Sequence, residues 1–154
     1  MGKNLENKDF KNFLPHRGSM LMVEDLLEID NESVTSGLPI QKKCVFVNND
    51  GFLTEPGLIE NAAQTSTAIV GQSFFQDDDI TGESNQLVGY ISAIKKVEVF
   101  QLPKTGDYLT TKASLVSRLD TNNMCICVIN SSTFIDDKLI VDCTFNFLIH
   151  EVQQ

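Results

Sequence analysis

Pro56-Gly57-Leu58-Ile59-Glu60-Asn61-Ala62-Ala63-Gln64-Thr65-Ser66-Thr67-Ala68-Ile69-Val70-Gly71-Gln72-Ser73-Phe74-Phe75 is the one long helical stretch of the chain, and its reading decides the fold. Ile59, Ala62, Ala63, Ile69, Val70 and Phe74 recur at roughly helical spacing, which predicts a helix over 58–75. Pro56 suits a first helical turn, where its missing N–H would have no partner in any case. Ala62, Ala63, Ser66, Ala68, Gly71 and Ser73 are small. Small side chains let neighbouring backbones come close, so the helix is expected to be covered on most sides.

Everything around this helix reads mainly as strand. Downstream, the acidic stretch 76–86 is expected to be a surface loop. Leu87 to Gln101, Tyr108 to Leu119, Met124 to Ile135 and Leu139 to His150 alternate or are rich in β-branched and aromatic residues. Turns are expected at 103–107, 120–123 and 136–138. Upstream, Met20 to Asp30 and Ser33 to Ile40 read as a hairpin around Asp30-Asn31-Glu32, with Val34 and Leu38 inward. Local propensity in the first of these segments also leans helical. Asn7 to Phe13 suggests a short helix stopped by Pro15, and 42–55 is irregular. One antiparallel sheet wrapped around one helix satisfies this order, so the fold class is α+β, in a single domain over 1–154.

Composition narrows the function. The net charge of −9 opposes binding to nucleic acid, and no basic stripe offsets it. No apolar run reaches the ~20 residues that span a bilayer, and the polar start lacks a signal-peptide core. A cytoplasmic protein is expected. The four cysteines include no C-x-x-C pair, and there are only two histidines, so a metal site is not expected. Cys125 and Cys127 share one face of a strand and read as small buried groups.

Phe13-Leu14-Pro15-His16-Arg17-Gly18-Ser19-Met20-Leu21-Met22-Val23-Glu24 resembles the F-L-P-H-R-x-P-x-L-L-V-D segment of the FabZ-type 3-hydroxyacyl-acyl-carrier-protein dehydratases. Ser19 stands where that family has proline, and Glu24 where it has aspartate. Glu60-Asn61-Ala62-Ala63-Gln64 resembles its helix motif E-A-x-A-Q, and Ile94, Lys96, Val99 and Gly106-Asp107 match its long strand and following turn. The resemblance implies the hot-dog fold. It departs at one point: the family has a catalytic histidine in a G-H-F-P-G loop before the helix, where this chain has Val47-Asn48-Asn49-Asp50-Gly51-Phe52-Leu53. The spacing from Asp50-Gly51-x-Leu53 to Glu60 and Gln64 is closer to the ApeP-like branch, found with aryl-polyene biosynthesis.

Dehydrating a 3-hydroxyacyl thioester needs a base at C2 and an acid at the leaving hydroxyl. By the resemblance, Glu60 is the helix carboxylate of that pair. From position alone it also reads as an ordinary acid near a helix start. Asp50 is a second catalytic candidate, and equally a residue of an Asn-Asp-Gly turn. His16 is the imidazole left within a motif. The family does not use that position for catalysis, which suggests packing or loop hydrogen bonding, but it stays a third candidate. Asn49, Gly57, Gln64 and Tyr90 are the substrate-binding candidates, Tyr90 reading also as core. No cofactor is implied. The expected ligand is an acyl-carrier or acyl-CoA thioester, and the expected assembly a homodimer or a heterodimer with a second hot-dog subunit. Three functions remain open: a dehydratase, a thioesterase working through one carboxylate, and a non-catalytic acyl-thioester-binding subunit of a heteromeric dehydratase.

Overall fold

The structure, a computed structural model of the chain, describes residues 9–72 and 87–151. The described elements are β1 (Asp25–Ile29), β2 (Ser33–Pro39), α1 (Glu55–Gly71), β3 (Leu87–Val99), β4 (Tyr108–Asp120), β5 (Met124–Ile135) and β6 (Lys138–Glu151), with 3-10 turns at Phe10–Asn12 and Gly18–Met20. The strands form one antiparallel six-stranded sheet in the order β1-β2-β4-β5-β6-β3. α1 packs mostly on β4 and β2 and barely reaches β3. This is the α+β, hot-dog architecture expected from the sequence.

Local chemistry explains the hairpins. Asp30 accepts from the backbone N–H of Glu32 and Ser33 at 2.8 and 2.7 Å, which closes the β1–β2 turn. The β5–β6 turn is tight enough to put Asp136 at φ 51°. Alternation then buries one face of β2 and of β6: Val34, Ser36 and Leu38 on β2, and Val141, Cys143, Phe145, Phe147 and Ile149 on β6. Cys125 and Cys127 are buried together, and burial pushes the Cys127 thiol up to about 12 and that of Cys143 up to about 11. These sulfurs are protonated packing groups.

Three expectations shift. The helix begins at Glu55, earlier than read, with Pro56 in its first turn. The short N-terminal helix is a 3-10 turn at Phe10–Asn12, capped by Asp9, whose Oδ1 accepts from Lys11 N at 3.0 Å. Strand β1 starts only at Asp25, because the backbone of Met22 is already engaged elsewhere: its N–H donates to Gln64 Oε1 and its carbonyl accepts from Asn61 Nδ2, both at 2.7 Å. The acidic loop expected at 76–86, together with Phe74 and Phe75, lies outside the described residues.

α1 is buried almost all round, which fits its small residues. Its buried polar groups are satisfied: Ser66 Oγ donates to Ala62 O at 2.7 Å, and Thr65 Oγ1 lies 2.7 Å from Ser36 Oγ on β2. Within the helix, Gly71 allows the closest approach, since a Cβ there would collide with the Phe13 carbonyl oxygen. The end of the helix therefore lies directly against the segment that leads to His16.

Candidate active site

His16 sits on a loop fastened at several points. Phe10, Phe13 and Leu14 are buried before it. Arg17, the next residue, turns its guanidinium back onto carbonyl oxygens: Nη1 donates to Leu14 O and His16 O at 2.6 and 2.7 Å, and Nη2 to Lys11 O at 3.0 Å. Its planar fork suits several acceptors at once. The following 3-10 turn enters through Gly18 at φ +63°, a left-handed conformation that glycine adopts without strain. Met20 and Met22 are then tied to α1 by Gln64 and Asn61.

These ties bring His16 to Glu60. Nε2 of the imidazole lies 3.7 Å from Glu60 Oε1, and the two side chains are only 33% and 28% exposed. The distance is an ion-pair distance, longer than a hydrogen bond; catalytic contacts of this kind commonly tighten when substrate binds. Glu60 Oε1 also accepts from Gln64 Nε2 at 2.8 Å, one helical turn away on the same face. Glu60 lies beyond the first turn of α1, where the dipole of the helix end has largely decayed. Its surroundings therefore come from its neighbours rather than from the helix end.

The pair opens onto a pocket of about 270 Å³. His16, Glu60, Gln64 and Thr67 form one wall, and Gly89 to Ile91 of β3 the other. Burial lowers the His16 pKa below 6.5; Glu60 raises it less, and Arg17 adds to the lowering. Nδ1 of His16 is buried and has no hydrogen-bond partner among the described residues.

That depressed pKa has a measurable sign. Between the folded value and 6.5 the unfolded chain binds more protons, so His16 supports the fold fully above 6.5 and loses that support as pH falls. Urea midpoints of wild type and His16→Gln at about pH 7.5 and about pH 5.5 are expected to show the steeper acid loss in wild type. Parallel losses would mean the ring is not held neutral by burial.

The other sequence candidates are placed differently. Asn49 and Asp50 are exposed on a turn in which Asn48 Oδ1 accepts from Asp50 N and Phe52 N, both at 3.0 Å, and neither lines this pocket. Gly57 is buried at the helix start, where a Cβ would come within 2.6 Å of Phe46 Cβ. Tyr90 borders the pocket, while its ring stacks on His150 at 5.9 Å. Sequence reasoning missed Asn61, which carries no motif signal beyond its place between Glu60 and Gln64. A second cavity, of about 590 Å³, is lined by Leu21, Met22, Leu38, Ile40 and Lys43 among others, and shares no residue with the His16–Glu60 pocket. It is the larger of the two; Glu24, Lys43 and Cys44 line it, but no histidine does.

Among the described residues, no helix is long and apolar enough to cross a membrane. The fold is similar to that of a chain in the dehydratase heterocomplex ApeI:P from Xenorhabdus doucetiae, with a TM-score of 0.77, 16% identity, and 97% of this chain and 94% of that one covered. It is similar as well to Cj0977, a sigma28-regulated virulence protein from Campylobacter jejuni, with a TM-score of 0.63, 14% identity and coverages of 93% and 85%. A hypothetical thioesterase from Streptococcus pneumoniae, solved with coenzyme A, matches with a TM-score of 0.57, 15% identity and coverages of 84% and 88%. At these identities the likeness is one of fold. No curated protein matches the chain. The family model described as ApeP dehydratase matches residues 8–148, and the chain therefore belongs to the ApeP-like family.

Proposed function

We propose that the chain dehydrates 3-hydroxyacyl thioesters, with His16 and Glu60 as its acid–base pair and a second hot-dog subunit closing the pocket over them. Membership of a dehydratase family supports the reaction class. The observation that carries the residue assignment is the 3.7 Å approach of His16 Nε2 to Glu60 Oε1 at the wall of a pocket. The pair replaces in one chain the histidine absent from the loop before α1.

In this reading the pair carries one proton between its members. His16, neutral, removes the C2 proton of the thioester, and Glu60 gives its proton to the departing hydroxyl, which leaves as water. The pair ends as imidazolium and carboxylate, holding the same number of protons as before. Transfer of one proton from His16 back to Glu60 resets it. The thioester is borne by a carrier protein or by coenzyme A. Carrier docking falls to exposed lysines such as Lys42 and Lys43, because the Arg17 fork is bound to backbone carbonyls and Lys96 lies 2.8 Å from Asp142.

In this reading the partner adds to β3. Among the described residues this strand is the sheet edge, and one row of its backbone N–H and C=O groups has no strand neighbour there. Ile91, Ile94 and Val97 are 40%, 45% and 36% exposed along it. The same strand forms a wall of the pocket, so a subunit added there would cover Glu60. Ile94→Asp is expected to convert the assembly to monomer in sedimentation velocity. An unchanged assembly would move the contact away from this edge.

The test of the reaction offers 3-hydroxyacyl and enoyl thioesters, on coenzyme A and on a carrier protein, to the chain alone and with candidate partner subunits. Appearance or loss of the enoyl thioester is expected. Release of free thiol without hydration would favour a thioesterase instead. Neither reaction, with any partner, would leave a binding subunit.

A further inference from the structure

We infer that Gln64 is the positioning residue that holds His16 and Glu60 together, and that it does not touch substrate. The inference rests on the acid–base reading above and adds to it the part that sets the geometry. Gln64 is 1% exposed, so its polar atoms are turned inward. Nε2 donates one hydrogen to Met20 O at 2.7 Å and the other to Glu60 Oε1 at 2.8 Å. Oε1 accepts the Met22 N–H at 2.7 Å. Only one orientation of the amide satisfies these partners. A backbone carbonyl cannot donate, and the Met22 N–H cannot accept.

One side chain thus grips both halves of the pair. It holds Glu60 directly. It holds His16 through the Gly18–Met22 backbone, whose other end is fixed by the Arg17 fork. With Oε1 accepting from Gln64, a proton carried by Glu60 belongs on Oε2. That leaves Oε2 as the oxygen that meets the leaving hydroxyl. The spacing of Glu60 and Gln64, four residues apart on one helix face, makes the bond possible without distorting the helix.

Two variants separate positioning from substrate contact. Gln64→Met keeps an unbranched side chain of similar length and removes all three hydrogen bonds. Gln64→Glu keeps the shape and the acceptor for Met22 N–H but sets a second carboxyl against Glu60. For both, in the assembled protein, kcat is expected to fall ~10- to ~100-fold with KM nearly unchanged. In Gln64→Glu the pH–rate profile is also expected to move to higher pH, because neighbouring carboxylates share a proton. A raised KM at constant kcat would make Gln64 a substrate contact and overturn the inference.

A readout without turnover keeps this separate from the reaction itself. The imidazole resonances of His16 in heteronuclear NMR are expected to titrate at higher pH in Gln64→Glu than in wild type. If they do not move, the positioning inference fails even in an active enzyme. If they move while wild type dehydrates nothing, the proposed reaction fails and the positioning of the pair stands. Thermal unfolding of both variants identifies a chain that fails to fold; Gln64→Met then carries the kinetic test if Gln64→Glu does not fold, and the reverse.

Discussion

With Glu60 replaced by glutamine, dehydration of a 3-hydroxyacyl thioester is expected to slow by ~10²- to ~10⁴-fold. The amide keeps the size of the carboxyl, and its oxygen still accepts from Gln64 Nε2, now 2.8 Å from Glu60 Oε1. The fold is therefore expected to hold, with a stability change of about 1 kcal/mol or less. What is lost is the ability to take or give a proton. His16→Gln is expected to cost a similar factor. Because the two act as a unit, the double variant should cost little more than either alone. The checks are single-turnover kinetics on the enoyl product and a urea melt of each variant. A Glu60→Gln chain that keeps its rate within a few-fold would remove Glu60 from the chemistry.

Asn61→Leu is expected to lower the unfolding free energy by about 2–4 kcal/mol. Asn61 is fully buried at the centre of a polar chain that crosses the core. Its Nδ2 donates to Met22 O at 2.7 Å, and its Oδ1 accepts from Thr111 Oγ1 on β4 at 2.7 Å. Thr111 in turn lies 2.9 Å from Thr133 Oγ1 on β5. Leucine fills the volume but leaves the Met22 carbonyl without its donor in a dry place. Thr111 keeps Thr133, so the carbonyl accounts for most of the loss. The combined change in Asn61→Leu with Thr111→Val is expected to fall short of the sum of the two. Denaturant unfolding at neutral pH measures both. A loss under ~1 kcal/mol would mean the carbonyl finds another donor.

The strands after the helix were legible because their signals are local. Alternation sets the buried face, and Asp120 to Asn123 and Asp136-Asp137 mark the turns, so β4, β5 and β6 fall within a residue or two of their expected ends. The Met20–Glu24 stretch was misread as strand for an equally physical reason. Its apolar pattern fits a ladder, but the backbone of Met22 is satisfied by side-chain amides from α1, more than thirty residues away. No window of local sequence contains that competition. The same long-range ties explain the site. Glu60 and Gln64 were visible through a motif, and His16 through another. That the two motifs meet at one pocket depends on Gln64, Asn61 and Arg17 acting through backbone atoms that have no sequence signature. Asn61 itself lies among apolar helix positions, and its role shows only once the sheet threonine it binds is known.

Strand β3 also bears on the order in which the protein can assemble. β1 with β2, β4 with β5 and β5 with β6 are hairpins, whose partners are close along the chain. β3 instead reaches across two intervening strands to pair with β6, Leu87 opposite Glu151 and Val99 opposite Val141. Closing that long loop, and the longer one that pairs β2 with β4, costs entropy before any of their pairs form, so both pairings belong to the late, slow part of folding. The pocket wall from Gly89 to Ile91 arrives with β3. A newly made chain can thus carry its hairpins while the pocket beside Glu60 is still unfinished. The late steps of folding are therefore the ones that complete this pocket.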